Sequence, residues 1–154
     1  RIGLLDRKLR IVNENTKTKE DWVVWTIRAF QSVYGYEYQG DNLLLARENL
    51  LNTFIDYYQK RFQKDPKKEL LLMIARIISW NIWQMDGMKY VVPNSCKPNV
   101  TEDLTLFGVI ANEKPCTGCK KGDILAHNGI YCRIFDWREK ASLAFVSMVN
   151  GASS

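Results

Sequence analysis

The chain has 154 residues, 46% hydrophobic and 12% aromatic, which is enough apolar material for a buried core and excludes an intrinsically disordered chain. Its net charge of +5 comes from 22 basic and 17 acidic residues; the bases are scattered rather than gathered in a block, so charge permits a nucleic-acid partner without identifying one. No stretch approaches the roughly 18 apolar residues of a membrane span and no signal-peptide pattern opens the chain, so a soluble, cytoplasmic protein without a membrane partner is expected. The chain starts on Arg1 and stops on Ser154 just after an apolar run. Both ends read as cuts through a longer protein, and the expectation is a single incomplete domain over residues 1–154.

In chain order, the first predicted element is a helix from Lys19 to Gln31, where Trp22, Val23, Trp25, Ile27, Ala29 and Phe30 crowd one window behind Glu20 and Asp21, acids suited to a helix N-terminus. Ser32 to Tyr38 is β-branched and aromatic and predicts a short strand, closed by the turn Gln39-Gly40-Asp41-Asn42. Asn42 can cap the next helix, in which Leu44, Leu51, Ile55, Tyr58 and Phe62 recur at helical spacing; it should stop near Lys64-Asp65-Pro66. A helix from Lys68 to Ser79, apolar nearly all round, is expected to be buried. Trp80 to Met85 has extended character and ends on Asp86-Gly87, a turn signal.

This order of helices and strands implies a crossover and parallel strands in an α/β sheet. Residues 91–128 hold three prolines, several glycines and three cysteines, and predict a long irregular insertion. Gly129 to Phe135 predicts a further strand and Lys140 to Val149 a helix. The residues thus organise as 20–90, 91–128 and 129–149.

In an open parallel sheet, ligands bind beyond the carboxyl ends of the strands, where an acid can accept from a ribose. Glu37 and Asp86 both stand at such ends, although an acid there is more often simply solvated. The tryptophans suit core or subunit contacts better than base stacking. Lys64, Lys67 and Lys68, with Lys120 and Lys121, suit solvated surface or phosphate contact.

The run Tyr34-Gly35-Tyr36-Glu37-Tyr38-Gln39-Gly40-Asp41-Asn42, followed by Ala46-Arg47-Glu48-Asn49-Leu50, resembles the second cofactor-binding motif of adenine-N6 DNA methyltransferases of the restriction-modification type. Ile78 to Met88, with Asn81-Ile82 and Asp86-Gly87, is similar to the next block of that family. The resemblance covers roughly residues 20 to 90 and again 128 to 149. It implies a partial Rossmann-like methyltransferase fold, with S-adenosylmethionine as cofactor and duplex DNA as substrate, and a restriction or specificity subunit as partner. Glu37 would bind the ribose hydroxyls and Tyr38 would pack beside the adenine. Asp86 would accept from the adenine amino group, and Gly87 would leave room for the ring.

The family's glycine-rich first motif and its proline-proline-aromatic tetrapeptide are not found in these residues, because Pro66, Pro93, Pro98 and Pro115 are all unpaired. A fragment inactive alone is therefore expected, with no catalytic residue assigned. The target adenine of such an enzyme must leave the DNA stack to react.

Four cysteines stand at positions 96, 116, 119 and 132. They could form two disulfides, but the tight Cys116-Thr117-Gly118-Cys119 pair reads better as reduced thiols or a zinc site. The candidate ligands are Cys96, Cys116, Cys119 and Cys132, with His127 as an alternative to Cys96. Cys132 lies in an apolar strand and also suits a buried hydrophobe. His127 also suits a loop residue, and no other histidine is available to activate a cysteine nucleophile. The alternative to the methyltransferase reading is a non-catalytic DNA- or protein-binding α/β module with a structural zinc site.

Overall fold

The computed structural model describes residues 3–105 and 108–149 and begins with a helix outside the sequence expectations, α1 (Leu4–Asn15). Leu5, Leu9 and Val12 are buried on one face of it, at the steps of four and three that line up residues on a helix. Helix α2 (Lys19–Gln31) has the predicted bounds. Thr18 sets its start by accepting from the Asp21 N–H, while its hydroxyl donates to the Asp21 carboxylate, a reciprocal arrangement that satisfies a helix-end donor.

Helix α3 (Gly40–Phe62) starts earlier than an Asn42 cap would place it, with Gln39 in the cap position. Asn42 instead donates to the Gln39 side chain. The helix ends as Gln63 turns left-handed at φ 54°, ahead of Pro66. Helix α4 (Lys68–Asn81) buries Ile74, Ile77 and Ile78. It is not buried all round: Leu72 is 60% and Met73 48% exposed.

The chain divides into two units, Arg1–Trp83 with Trp137–Lys140, and Gln84–Asp136 with Ala141–Ser154, where the sequence suggested a single incomplete domain. The first unit is the helical one. Its core gathers Leu5, Leu9, Trp22, Phe30, Phe54, Tyr58 and the α4 isoleucines. Trp22 is fully buried and meets Tyr58 and Phe62 edge-on, with ring centroids 5.7 and 5.2 Å apart, a preferred aromatic geometry. Thr26 is 1% exposed and its hydroxyl has no hydrogen-bond partner among the described residues. Thr26→Val keeps the shape and removes the unpaired group, so urea denaturation should show a gain of about 1 kcal/mol; a loss would mean that the hydroxyl is paired.

Strands β1 (Gly35–Glu37) and β2 (Ile82–Gln84) form a short parallel pair across the α3–α4 crossover. Two side chains tie this crossover together. The Arg47 guanidinium donates to the Ile82 carbonyl at 3.0 and 2.7 Å and to that of Ser79 at 3.2 Å, closing the C-terminal end of α4. Burial holds its pKa below the usual value. Asn81, 2% exposed, donates to the carbonyls of Phe30, Gln31 and Val33 at the end of α2. Its own side-chain oxygen accepts from the Trp137 indole at 2.8 Å. A buried amide satisfied at both ends fixes one geometry.

The second unit replaces the expected irregular insertion with an antiparallel hairpin, β3 (Asn99–Thr105) and β4 (Gly108–Lys114), in register from Asn99↔Lys114 to Thr105↔Gly108. Pro98 and Pro115 flank this ladder rather than interrupt it, which is where proline is tolerated beside a strand. A short helix α5 (Thr117–Lys121) follows. Strands β5 (Arg133–Asp136) and β6 (Ala141–Ala144) pair antiparallel. Residues 141–144, expected in a helix from Lys140, therefore extend into a ladder, and α6 spans only Phe145–Val149. The fold is mixed α/β, and its described sheets are three two-stranded pairs. No helix among the described residues is long and apolar enough to cross a membrane.

Candidate metal centre

The β3–β4 hairpin carries the first two ligands to one place. Its base pair Asn99↔Lys114 brings together the chain just before it, with Cys96, and just after it, with Cys116. Helix α5 then turns Cys119 back onto Cys116: Cys116 holds the N-cap position, and its sulfur accepts the Cys119 N–H at 3.3 Å. The Gly118 N–H donates to the Ala126 carbonyl at 2.9 Å, which lays the segment carrying His127 against α5.

The ligand atoms of Cys96, Cys116, Cys119 and His127 all lie within 4.8 Å of one another. His127 Nδ1 is 3.6 Å from the Cys96 sulfur, 3.6 Å from that of Cys116 and 3.7 Å from that of Cys119. A ring nitrogen has one proton or one lone pair and cannot satisfy three thiols by hydrogen bonding. With metal–sulfur and metal–nitrogen bonds of about 2.3 and 2.0–2.1 Å, a tetrahedral site requires sulfur–nitrogen edges of about 3.6 Å. The observed spacings are those edges, and the set can bind a metal ion such as zinc.

Three clustered thiols resist shared ionisation. The Cys96 thiol is pushed up to about 11 by burial, with Cys116 and Cys119 adding to the rise. Cys116 is drawn down to about 6, first by the Cys119 N–H it accepts, with His127 contributing. The Lys89 ammonium is raised first by the charge of Cys119 and next by Asp86.

The surroundings are shaped to the ligands. A Cβ on Gly118 would lie 2.7 Å from ring and backbone atoms of His127, and one on Gly129 would lie 2.6 Å from Ser95 Oγ and 2.9 Å from the Cys96 sulfur. Only glycine fits at either position. Asn128 accepts from the Lys97 N–H and donates to the Lys97 carbonyl, locking the residue after His127 to the residue after Cys96. The His127 N–H donates to the Tyr131 hydroxyl, which donates to the Ile124 carbonyl at 2.9 Å.

Cys132, a ligand candidate in the sequence, stands apart from this set, and His127 takes the place given to it. Cys132 is fully buried, its thiol donates to the Gln84 carbonyl at 3.2 Å, and burial pushes its pKa up to about 11, the behaviour of a small core hydrophobe. All four cysteines are free thiols.

The proposed cofactor residues fall in different units. Glu37 ends β1 in the helical unit, and one of its carboxylate oxygens accepts from the N–H groups of Tyr38 and Gln39 at 2.9 and 3.1 Å. Tyr38 is 51% exposed. Asp86 lies in the second unit, with one oxygen on the Met88 N–H and the other 3.5 Å from the Lys89 ammonium. Its backbone bridges Val91. A Cβ on Gly87 would meet nothing within 4 Å. The sequence reading missed Gly118 and Gly129 as residues that shape the site, and Asn81 as a clamp; a glycine between paired ligands was the one available signal.

Compared with protein-family models, curated proteins and solved structures, the chain matches none.

Proposed function

We propose that the chain is part of a site-specific DNA methyltransferase that transfers a methyl group from S-adenosylmethionine to adenine N6 in a restriction-modification system, acting on duplex DNA. In that reading its β1–α3–α4–β2 crossover is a portion of a Rossmann-like fold. The observation that carries it is the pairing of β1 with β2, with the carboxylate of Glu37 held at the end of β1 by two backbone donors. A carboxylate fixed in this way keeps acceptor capacity on its second oxygen for a ribose hydroxyl pair. Arg47 and Asn81, one from each resembling block, both anchor the ends of this crossover, which supports the two blocks acting together.

The fit of the cofactor residues is uneven. Glu37 and Tyr38 suit the ribose and adenine, whereas the carboxylate of Asp86 is engaged in its own turn and by Lys89. S-adenosylmethionine would supply the electrophilic methyl group. Glu37 would orient the ribose, and Tyr38 would cover one face of the base.

The test uses the complete polypeptide encoded by the gene, assayed for transfer of labelled methyl groups to duplex DNA. Glu37→Ala is expected to weaken S-adenosylmethionine binding about tenfold or more, the loss of a charged hydrogen-bonding pair. Absence of any methyl transfer by the unaltered polypeptide would overturn the assignment. The 154-residue chain alone is expected to bind the cofactor weakly or not at all.

A second reading, a non-catalytic DNA- or protein-binding module, is favoured by the Cys3His cluster. Stoichiometric metal with salt-dependent duplex binding and no methyl transfer would select it.

A further inference from the structure

We infer that Cys96, Cys116, Cys119 and His127 form a closed structural zinc centre that organises the second unit, so that this unit folds only with metal while the helical unit folds without it. The inference rests on the cluster and its unit, not on the methyltransferase reading, and the two can fail separately.

Three observations carry it. Four protein ligands fill a tetrahedral shell, and a shell with no open position is structural rather than catalytic. A set of three thiolates and one imidazole selects a soft or borderline ion such as Zn²⁺ over Mg²⁺ or Ca²⁺. The neutral imidazole and three thiolates would leave a Zn²⁺ centre with net charge −1.

The second observation is what else holds the unit. Its buried apolar residues, among those described, are Met85, Val91, Cys116, Cys132 and Val146. The helical unit by contrast has a continuous cluster running from Leu5 to Ile82. A unit with so few core residues among those described is suited to a staple, and a metal bound only by the folded state stabilises it by its binding free energy.

The third is the reach of the ligands. Cys96 and His127 lie on two segments joined by Asn128 to Lys97, by Ser95 to the Ile130 N–H and by the Val92 N–H to the Ile130 carbonyl. Cys116 and Cys119 lie on α5 beyond the hairpin. One ion therefore crosslinks the segments around Cys96, Cys116–Cys119 and His127 at once, with Cys116 buried and Cys119 exposed.

The full chain is purified under reducing conditions and its metal measured by plasma mass spectrometry. One zinc per chain is expected, and Co²⁺ substitution should give the d–d and thiolate charge-transfer bands of a tetrahedral S₃N site. Cys132→Ser should retain the zinc, and Cys116→Ser should lose it. Hydrogen exchange is then followed after chelation. Amides between residues 84 and 136 should exchange roughly tenfold faster or more, those of α2 and α4 should not change, and added Zn²⁺ should restore protection. Substoichiometric zinc with no tetrahedral cobalt spectrum would overturn the site. Unchanged protection in the second unit after complete metal removal would overturn the folding role.

Discussion

Gly118→Ala is expected to weaken zinc binding by roughly 10- to 100-fold, the range for residues that position a ligand without touching the metal. The new Cβ would fall 2.7 Å from Cγ, Nδ1 and the backbone nitrogen of His127. Rotation of the imidazole cannot relieve a contact that includes backbone, so the 126–128 segment must move and take Nδ1 out of the tetrahedron. The Gly118 N–H also holds the Ala126 carbonyl, so the same shift breaks the bond that seats this segment. Gly122→Ala is the matched control. Gly122 has φ +68° and nothing within 4 Å of its would-be Cβ, so it should cost about 1 kcal/mol of backbone strain and, through the linkage of folding to binding in this unit, weaken zinc binding by no more than about fivefold. Competition with a chromophoric chelator measures both variants. Equal affinity for Gly118→Ala and the unaltered chain would show that the loop yields.

Asn81→Leu is expected to destabilise the helical unit by about 3 kcal/mol. The substitution keeps the volume and removes a donor from the Phe30, Gln31 and Val33 carbonyls and an acceptor from the Trp137 indole. Each buried polar group left without a partner costs about 1–3 kcal/mol. Phe30 also accepts from the Val33 N–H, which moderates the sum. Pairing Asn81→Leu with Trp137→Phe in a double-mutant cycle isolates the indole contact, and the double variant should lose less stability than the sum of the two single losses, because the second change removes the orphaned donor. Urea denaturation of the four proteins gives the result, and a loss under 1 kcal/mol for Asn81→Leu would remove Asn81 from its place as a clamp.

The helical unit was legible because its signals are local. Glu20 and Asp21 at the entry of α2, the apolar recurrence down α3 and the proline after it state where helices start and stop, and the bounds of α2 and the end of α3 follow. Helix α1 was missed although Leu5, Leu9 and Val12 carry the right steps, because Arg7, Lys8 and Arg10 dilute the stripe in a short window. The apolar look of α4 misled in the opposite direction: Leu72 and Met73 are as hydrophobic as Ile74 yet face outward.

The second unit was harder to read, since its organisation is non-local. Nothing near Asn99 says that it pairs with Lys114, and the flanking prolines made a hairpin look like a loop. The metal site was partly legible, as the Cys116–Cys119 spacing is a local signature. The choice between His127 and Cys132 was not, because it depends on how residues 90–97 and 127–132 zip together. That zipper sends the Cys132 side chain toward the Gln84 carbonyl and His127 toward the thiols.

The position of the hairpin between the first and second ligands has a consequence for how this unit can vary. With a metal bound, Cys96 and Cys116 would fasten its base, and the free-energy cost of closing that loop would grow only slowly with the number of residues inside it. Strands β3 and β4 could be lengthened, shortened or exchanged for another hairpin at about 0.6 kcal/mol per doubling of the loop. The ligand knot would then serve as a socket, with a replaceable arm projecting from a fixed base.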